Sequence, residues 1–553
     1  MADKIQISQG ATQAIALWLS HILLFSALLA ANSQQGEPAD NRHRTPLKQP
    51  QFDIMVETGN APRPVLADSF LSSTHRFNIH YTTAGANAVP GEDINQNIIP
   101  DYIEKIAAAF DESYYVEIEL LHYREPPSCK NGTVPYDIYV LDLGNASGIT
   151  VTELLDSSAV EQKNVSSYIL FENDFVGPDF HVHGDEAIQT TAAHEFFHAV
   201  QLGYVFRKSD SFFFELTAVW MADRVFDDIN KHFYYLEYFF ASPEIPLNGV
   251  SFTIPNVFKH IYGSCIFAFY LAENFGVDAI RWIWEQMSDL TALAAVDQLF
   301  RGHGSDFETE FGRFATWNFF TGSRARPAFS YAESPLYPEI HVAKDTLLEY
   351  YHQHSGQGYF LTAAYYLFQP IRGGDFRVLL SAEPSSHWRL GVAAYDGQTV
   401  QTYFAPTQQP IRIRNISAEQ KLVIIPCNVD YQKNPALIYF KEKPENYTFY
   451  IQCEGKERAQ VTLPFLVKTI YPNPFSSEVT LVIQQLDSML ISIRIFNIQG
   501  QQVDHLPDLG PDIQQYQIRW RPPLQPYPLP TGIYFMRLEA GAFSQTLKLV
   551  LCR

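Results

Sequence analysis

The spacing of hydrophobic residues divides the chain into an α+β first part and a β-rich second part. Up to about residue 347, short alternating segments are followed by longer apolar stretches with helical spacing. Beyond it, short alternating segments recur with turn residues between them, which is typical of β-sandwiches. The predicted strands of the first part are Phe77–Tyr81, Tyr136–Leu143 and Ser167–Glu172, and its helices are 100–115, the run around 190–201, 212–229, 232–241, 261–275 and 278–288.

These patterns predict a multidomain protein, in which an α+β domain is followed by two all-β sandwich (Ig-like) domains. The apolar run Ala14–Ala31, followed by polar residues, indicates a signal peptide, with an uncleaved anchor as the alternative. No other run approaches the roughly 20 apolar residues that a membrane-spanning helix needs. We expect a signal peptide at 1–33, a linker or short pro-segment at 34–70, and domains at 71–335, 336–462 and 463–553.

Charge and cysteine usage narrow the classes of function. The formal charge is −21, with 60 acidic against 39 basic residues, so we expect no nucleic-acid partner. The five cysteines include no C-x-x-C pair, which argues against a cysteine zinc site. Cys427 and Cys453 flank one β-rich stretch and are a candidate disulfide in an oxidising compartment, with free thiols as the alternative.

The most specific motif is H-E-x-x-H at residues 194–198, inside an apolar run with helical character. On a helix, His194 and His198 are four residues apart and share one face, where two imidazoles can bind one Zn²⁺. Glu195 between them can take a proton from a water activated by the metal. The motif therefore predicts a zinc site with Glu195 as general base, although satisfied histidines in a buried helix would give the same letters.

Zinc requires a third protein ligand, and Glu215 is the best candidate because it lies in the next apolar helical stretch. A helix with H-E-x-x-H followed by a helix with Glu is the gluzincin pattern, whereas the metzincin extension is missing at Gln201 and Tyr204. Asp223 and Asp227 remain fallback ligands. Tyr262 and His260 are candidate oxyanion donors, each with an ordinary packed aromatic ring as the alternative; His181 and His183 are a weaker candidate second metal site.

Residues 93–104 form a second candidate site. Their oxygen-bearing side chains have the spacing of an EF-hand-type calcium loop, except that Ile98 occupies the sixth position, where such loops use glycine. The alternative is an Asx-rich turn that caps the following helix. The candidate Ca²⁺ ligands are Asp93, Asn95, Asn97, Asp101 and Glu104.

Two resemblances add to this interpretation. Residues of about 75–290 resemble exported bacterial zinc metalloproteases through Phe77-Asn-Ile-His-Tyr, His194-Glu-Phe-Phe-His-Ala-Val-Gln and Glu215-Leu-Thr-Ala-Val-Trp. This resemblance implies a zincin-like catalytic domain, with His194, His198 and Glu215 as ligands and Glu195 as catalyst. Such sequences often carry Glu-Asp where this chain has Ala222-Asp223, which puts any role of the missing acid in doubt.

The C-terminal unit is similar to the type A sorting domain of the type IX secretion system of Bacteroidetes. The residues that carry the similarity are Tyr471-Pro-Asn-Pro-Phe, Ile495-Phe-Asn-Ile-Gln-Gly-Gln, Trp520, Gly532-Ile-Tyr-Phe-Met-Arg-Leu and Lys548-Leu-Val-Leu. The similarity implies contact with the type IX secretion machinery and a protein that is secreted or attached to the outer cell surface.

Together, these observations predict a secreted or cell-surface zinc-dependent endopeptidase that acts on protein or peptide substrates. One alternative is a surface binding or adhesion protein with a catalytically inactive zincin-like domain, although an inactive relative has little need to keep Glu195. A second alternative is zinc-dependent hydrolysis of a bond other than a peptide bond.

Overall fold

The computed structural model describes two compact units, residues 1–454 and 455–553. The expected signal peptide, most of segment 34–70 and Cys129 lie outside the described residues. The residues described are 54–58, 63–127, 135–154, 160–178, 180–249, 255–326, 329–348, 350–383, 385–432, 443–454, 465–486, 489–510, 515–523, 528–541 and 543–552.

The first unit begins with a six-stranded mixed sheet. Its strands are β1 (Ile54–Thr58), β2 (Asp68–Leu71), β3 (Phe77–Tyr81), β4 (Tyr136–Leu141), β5 (Gly148–Leu154) and β7 (Ser167–Glu172), in the order β1-β5-β7-β4-β3-β2. β3, β4 and β7 run parallel, whereas β5 is antiparallel to β7. β1 pairs with the outer edge of β5 in parallel register, and β2 pairs antiparallel with β3. A separate two-stranded ribbon joins β6 (Glu161–Lys163) to β8 (Val205–Arg207).

Nine helices are described in this unit: α1 (Asp101–Tyr114), α2 (Gly184–Tyr204), α3 (Ser211–Val225), α4 (His232–Ala241), α5 (Pro255–Gly263), α6 (Ile266–Phe275), α7 (Asp278–Gln286), α8 (Ala292–Gly302) and α9 (Phe307–Phe319). A π-helical turn, Tyr115–Leu120, extends α1. Phe77 of β3 joins sheet to helices, because its ring contacts Phe110 of α1 at 5.3 Å and Phe196 of α2 at 5.2 Å. These contacts fix α2 against the sheet by burying large aromatic surfaces.

A β-sandwich completes the first unit. One sheet has the order β15-β14-β17-β12-β9, with β11 also paired to β17, and the other has the order β10-β18-β13-β16. The strands are β9 (Lys344–Leu348), β10 (Tyr351–Gly358), β11 (Thr362–Ala363), β12 (Tyr366–Pro370), β13 (Gly374–Ala382), β14 (Trp388–Tyr395), β15 (Val400–Pro406), β16 (Ile411–Ile416), β17 (Lys421–Asn428) and β18 (Glu445–Glu454).

The sandwich packs on the helical part through α9. Tyr365 donates a hydrogen bond to the backbone oxygen of Ala315 at 2.9 Å, and Phe319 contacts Tyr395 at 5.4 Å between ring centroids. Buried residues of both parts belong to one hydrophobic cluster, so the sandwich and the helices share a core. This is why residues up to 454 form one compact unit.

The candidate disulfide is not formed. Cys427 lies on β17 and Cys453 on β18, which belong to different sheets of the sandwich, and both are free thiols. Burial raises the pKa of the Cys427 thiol, so it remains protonated inside the core.

The second unit is a β-rich domain with its own core around Trp520. Its two sheets have the orders β19-β20-β23 and β22-β21-β24-β25. The strands are β19 (Phe465–Tyr471), β20 (Val479–Gln485), β21 (Ile491–Asn497), β22 (Gln502–Leu509), β23 (Gln515–Trp520), β24 (Gly532–Ala540) and β25 (Phe543–Leu551).

The observed architecture is therefore multidomain, with mixed helices and sheets followed by a β-rich C-terminal region. The predicted helix 261–275 is divided in two, because α5 ends at Gly263 and α6 begins at Ile266. A Cβ atom at Gly263 would collide with the backbone oxygen of Tyr235, so the close packing of α5 against α4 depends on this glycine. None of the helices in the described ranges combines the length and apolar character needed to cross a bilayer.

Candidate metal centre

The two motif histidines lie in the middle of α2, where every residue from Thr190 to Tyr204 is buried. His194 and His198 are one helical turn apart, and their ring centroids are 4.6 Å from each other. Side chains four residues apart on a helix share one face. The helix therefore directs both imidazoles to the same point, as the spacing predicts.

Glu215 of α3 completes a group of three possible ligands. Its Oε2 atom lies 3.5 Å from Nε2 of His194 and 3.6 Å from Nε2 of His198. The three ligand atoms all lie within 4.8 Å of one another, and all three residues are buried. Two imidazole nitrogens and one carboxylate oxygen are a donor set that suits Zn²⁺ with an open fourth position, so the residues present fit this ion.

Glu195 faces strand β5. The hydroxyl oxygen of Thr150 lies 2.7 Å from Oε2 of Glu195 and 2.9 Å from its backbone oxygen. Gly148 makes this approach possible, since a Cβ atom there would lie 2.6 Å from Cγ of Glu195 and 2.9 Å from Cγ2 of Thr191. Strand β5 thus positions the Glu195 carboxylate beside the ligand group.

Gln201 connects the two helices that carry the proposed ligands. Its Oε1 atom lies 2.7 Å from Nδ1 of His198, and its Nε2 atom donates to the backbone oxygen of Phe214 at 2.9 Å and to the Thr217 hydroxyl at 3.0 Å. Because the amide nitrogen of Gln201 donates its hydrogen bonds to α3, the amide oxygen accepts the Nδ1 proton of His198. This arrangement leaves Nε2 of His198 as the ring nitrogen that faces Glu215.

A cleft opens beside the ligand group. The loop before β5, the loop before α2, and the helices α2, α3, α4 and α5 all contribute to its lining. The lining side chains include Asn145, Ser147, His194, Glu195, Asp223, His232, Tyr234, Tyr235, Lys259 and Tyr262. One proposed ligand, His194, and the proposed base, Glu195, therefore lie on the surface of a space that a substrate can enter.

The two candidate oxyanion donors have different surroundings. Tyr262 lines the cleft, its ring centroid 6.2 Å from that of His194, and it stacks on Tyr235 at 5.0 Å. His260 is fully buried, stacks on Phe239 and lies outside the cleft lining. Burial lowers the pKa of His260 to about 3, so it is a neutral core residue and Tyr262 remains the candidate donor.

The fallback ligands and the H-x-H pair do not join the ligand group. Asp223 lies two turns beyond Glu215 on α3, and its Oδ1 atom is 2.8 Å from Nδ1 of the buried His232. Asp227 is exposed. His181 stacks on Tyr234, and Nδ1 of His183 lies 3.1 Å from the backbone oxygen of Phe175.

The candidate calcium loop folds through hydrogen bonds among its own residues. Asp93 accepts the backbone N–H groups of Asn97 and Ile98, while the side-chain amides of Asn95 and Asn97 both donate to Glu104. Asp101 accepts the backbone N–H of Ile94. Ile98 has φ +79°, the left-handed backbone that glycine favours at this position of such loops. Calcium binding by this loop remains a prediction.

Sequence reasoning missed Gly148, Thr150 and Gln201 as supporting residues. Gln201 had a signal, because it lies three residues after a motif histidine on the same helix face. Gly148 and Thr150 had none, since their contact with Glu195 spans 45 residues of chain or more and depends on how the sheet packs.

The C-terminal region matches a known family. Residues 469–552 match the family described as secretion system C-terminal sorting domain. The protein is secreted or attached to the outer cell surface. This match supports an exported protein of the Bacteroidetes type and implies contact with the type IX secretion machinery, as the sequence predicts.

Three solved structures show weak similarity to parts of this chain. The Yersinia pseudotuberculosis-derived mitogen is 9% identical, with 20% of this chain and 91% of that chain covered and a TM-score of 0.16. PliG of Salmonella Typhimurium, a periplasmic inhibitor of g-type lysozyme, is 15% identical over 20% of this chain and all of its own, with a TM-score of 0.14. The Ruminococcus gnavus β-glucuronidase is 10% identical, with 36% of this chain and 35% of that chain covered and a TM-score of 0.17.

Overlaps of this kind give no basis for assigning fold or function. No curated protein matches the chain.

Proposed function

We propose that the protein is a secreted or cell-surface zinc-dependent endopeptidase with a zincin-like catalytic domain. The observation that carries this proposal is the convergence of His194, His198 and Glu215, with Glu195 held beside them at the wall of a cleft. Location outside the cell gives such an enzyme access to protein substrates.

When bound, Zn²⁺ would supply a Lewis acid that polarises the scissile carbonyl and lowers the pKa of water. His194, His198 and Glu215 would hold it through two Nε2 atoms and one carboxylate oxygen. Glu195, with Oε2 in contact with Thr150, takes a proton from the attacking water and later delivers it to the leaving amine.

Tyr262 is the group best placed to donate its phenolic proton to the carbonyl oxygen as negative charge develops there. Its ring lines the cleft near His194, and stacking on Tyr235 restricts the orientation of the ring.

Zinc content and casein cleavage test the proposal, measured for the wild type, Glu195→Gln and the control Glu186→Gln. Glu186 is an exposed residue in the first turn of α2. We expect about one zinc ion per chain in all three proteins. Cleavage should fall about 10²- to 10⁴-fold in Glu195→Gln only, because loss of a general base has effects of this size.

Zinc content well below one ion per chain, or equal cleavage by wild type and Glu195→Gln, would contradict the proposal. Zinc binding without cleavage of any peptide would favour the surface binding protein or hydrolysis of another bond.

A further inference from the structure

One end of the cleft carries a positive charge held between two tyrosines. Nζ of Lys259 on α5 donates hydrogen bonds to the hydroxyls of Tyr234 and Tyr238 on α4, the latter at 3.0 Å. The same ammonium lies 5.0 Å and 4.7 Å from the two ring centroids, within cation–π distance. His181, from the loop before α2, stacks on the ring of Tyr234. The lysine is therefore fixed in position rather than extended into solvent.

No carboxylate of the described residues balances the charge on Lys259. Among the residues that the structure describes, no acidic side chain lies within ion-pair distance of its Nζ atom, although the protein carries a net charge of −21. Burial opposes the charge, but the hydrogen bonds to Tyr234 and Tyr238 raise the pKa of Lys259 above its ordinary value. Asp223, which also lines the cleft, faces His232 instead.

The position of Lys259 relates this charge to the metal centre. Lys259 and Tyr262 are three residues apart on α5, so their Cβ atoms are about 5–6 Å apart on one helix face. Tyr262 in turn lies against His194. Lys259, Tyr262 and His194 all line the same cleft, and two of the three N–H groups of the ammonium are taken by the tyrosines.

We propose that Lys259, held by Tyr234 and Tyr238, binds a carboxylate of the substrate next to the scissile bond, so that the enzyme prefers acidic substrates. This inference rests on the proposed peptidase function and names its substrate class. The carboxylate belongs either to an Asp or Glu side chain or to the free C-terminus of the peptide, and both sources offer the same chemistry to an ammonium group.

Matched peptides test the proposal. Each pair differs only by Glu or Gln beside the cleaved bond, and each is made with a free and with an amidated C-terminus. We expect the wild type to cleave the acidic peptide with a kcat/KM about ten-fold or more above that of its neutral twin, the size of effect that a charge-assisted hydrogen bond provides. A preference for Glu in amidated peptides identifies the side chain as the source. A preference only for free C-termini identifies the terminus, and the peptidase would then be a carboxypeptidase rather than an endopeptidase.

Two variants and one control assign the preference to Lys259. Lys259→Met should bring the ratio close to one, whereas Lys259→Arg keeps the charge and should retain most of it. Lys421→Met, which removes an exposed lysine of β17 far along the chain, should leave the ratio unchanged. A wild-type ratio of one for both sources, or an unchanged ratio in Lys259→Met with normal zinc content, would overturn the proposal.

A binding measurement separates this inference from the proposed function. Zinc-loaded Glu195→Gln should bind the acidic peptide more tightly than the neutral one, and adding Lys259→Met should remove the difference. If the wild type cleaves nothing but this Lys259-dependent binding is found, the peptidase proposal fails and the carboxylate site stands. If peptides are cleaved without acidic preference, only the carboxylate site fails.

Discussion

Gly148 shows how the absence of a side chain makes room for Glu195, the proposed general base. A Cβ atom at this residue would lie 2.6 Å from Cγ of Glu195, closer than real Cβ atoms approach other heavy atoms. We expect Gly148→Ala to displace the Glu195 carboxylate and lower casein cleavage about a hundredfold, since displacements near 1 Å have effects of this size. Zinc content should stay normal because the proposed ligands are on α2 and α3.

The control for this prediction is Gly302→Ala, because a Cβ atom there would meet nothing within 4 Å. Cleavage by Gly148→Ala at the wild-type rate would show that Glu195 does not act from its observed position.

Glu117 predicts a dependence of stability on pH. Both carboxylate oxygens are buried and have no hydrogen-bond partner among the described residues, and burial raises the pKa of Glu117 well above its ordinary value. The folded state therefore binds a proton that the unfolded state releases above about pH 4.5. Stability should fall as the pH rises from that value towards the raised pKa.

Replacing Glu117 by Gln removes this titration. The decrease in Tm between pH 5 and pH 8 should therefore be smaller in Glu117→Gln than in the wild type. Each kcal/mol of stability corresponds to about 4–8 °C of Tm in a small domain and to less in this larger unit. Glu119→Gln is the control, since Glu119 is half exposed and lies 3.4 Å from Arg76. Thermal unfolding followed across this pH range gives the answer. Parallel curves for wild type and Glu117→Gln would refute the prediction.

At the level of elements, the candidate metal centre depends on the hydrogen bonds between α2 and α3. Gln201 contacts His198 of its own helix and both Phe214 and Thr217 of α3, so one amide sets the ring orientation of a proposed ligand and the approach of the helix that carries Glu215. We expect Gln201→Leu to lower zinc affinity about 10- to 100-fold, as losses of such supporting hydrogen bonds do.

Competition with a chelator measures this change in zinc affinity. Gln189→Leu on the same helix is the matched control, because no hydrogen bond of the Gln189 side chain is described. Equal affinity in wild type and Gln201→Leu would mean that the ligands are positioned by packing alone.

The same elements show what the sequence could predict. The helix with His194 and His198, and Glu215 in the next helix, follow from residues close in the chain, where periodicity determines which side chains share a face. The strand Phe77–Tyr81 and the helix 232–241 have their predicted bounds. By contrast, the pairing of β1 with β5, the Gly148 contact and the approach of α5 to α4 depend on tertiary packing, which periodicity does not encode.

At the level of the whole molecule, the chain has two compact units rather than one unit for each predicted domain. The sandwich strands shield apolar surface of α9, so Tyr365, Phe319 and Tyr395 belong to a core that neither part would complete alone. The sequence reveals that apolar and polar residues alternate along the strands, but not which apolar face is covered by a helix. The C-terminal unit, in contrast, has a core of its own around Trp520.

This division predicts that export can be separated from the proposed zinc binding. Removing residues 455–553 deletes the segment that matches the sorting domain and leaves the core of the first unit intact. In a bacterium with a type IX secretion system, we expect the truncated chain to fold and bind zinc. It should remain in the periplasm, because the secretion machinery no longer recognises it. Cell fractionation and zinc content of the purified protein measure the two properties separately.

The reciprocal control joins a signal peptide and residues 455–553 to an unrelated periplasmic reporter, which should then reach the medium or the cell surface. Wild-type levels of the truncated chain outside the cell would contradict the prediction. Retention together with loss of zinc would instead show that the first unit needs the second in order to fold, contrary to the separate cores that the structure describes.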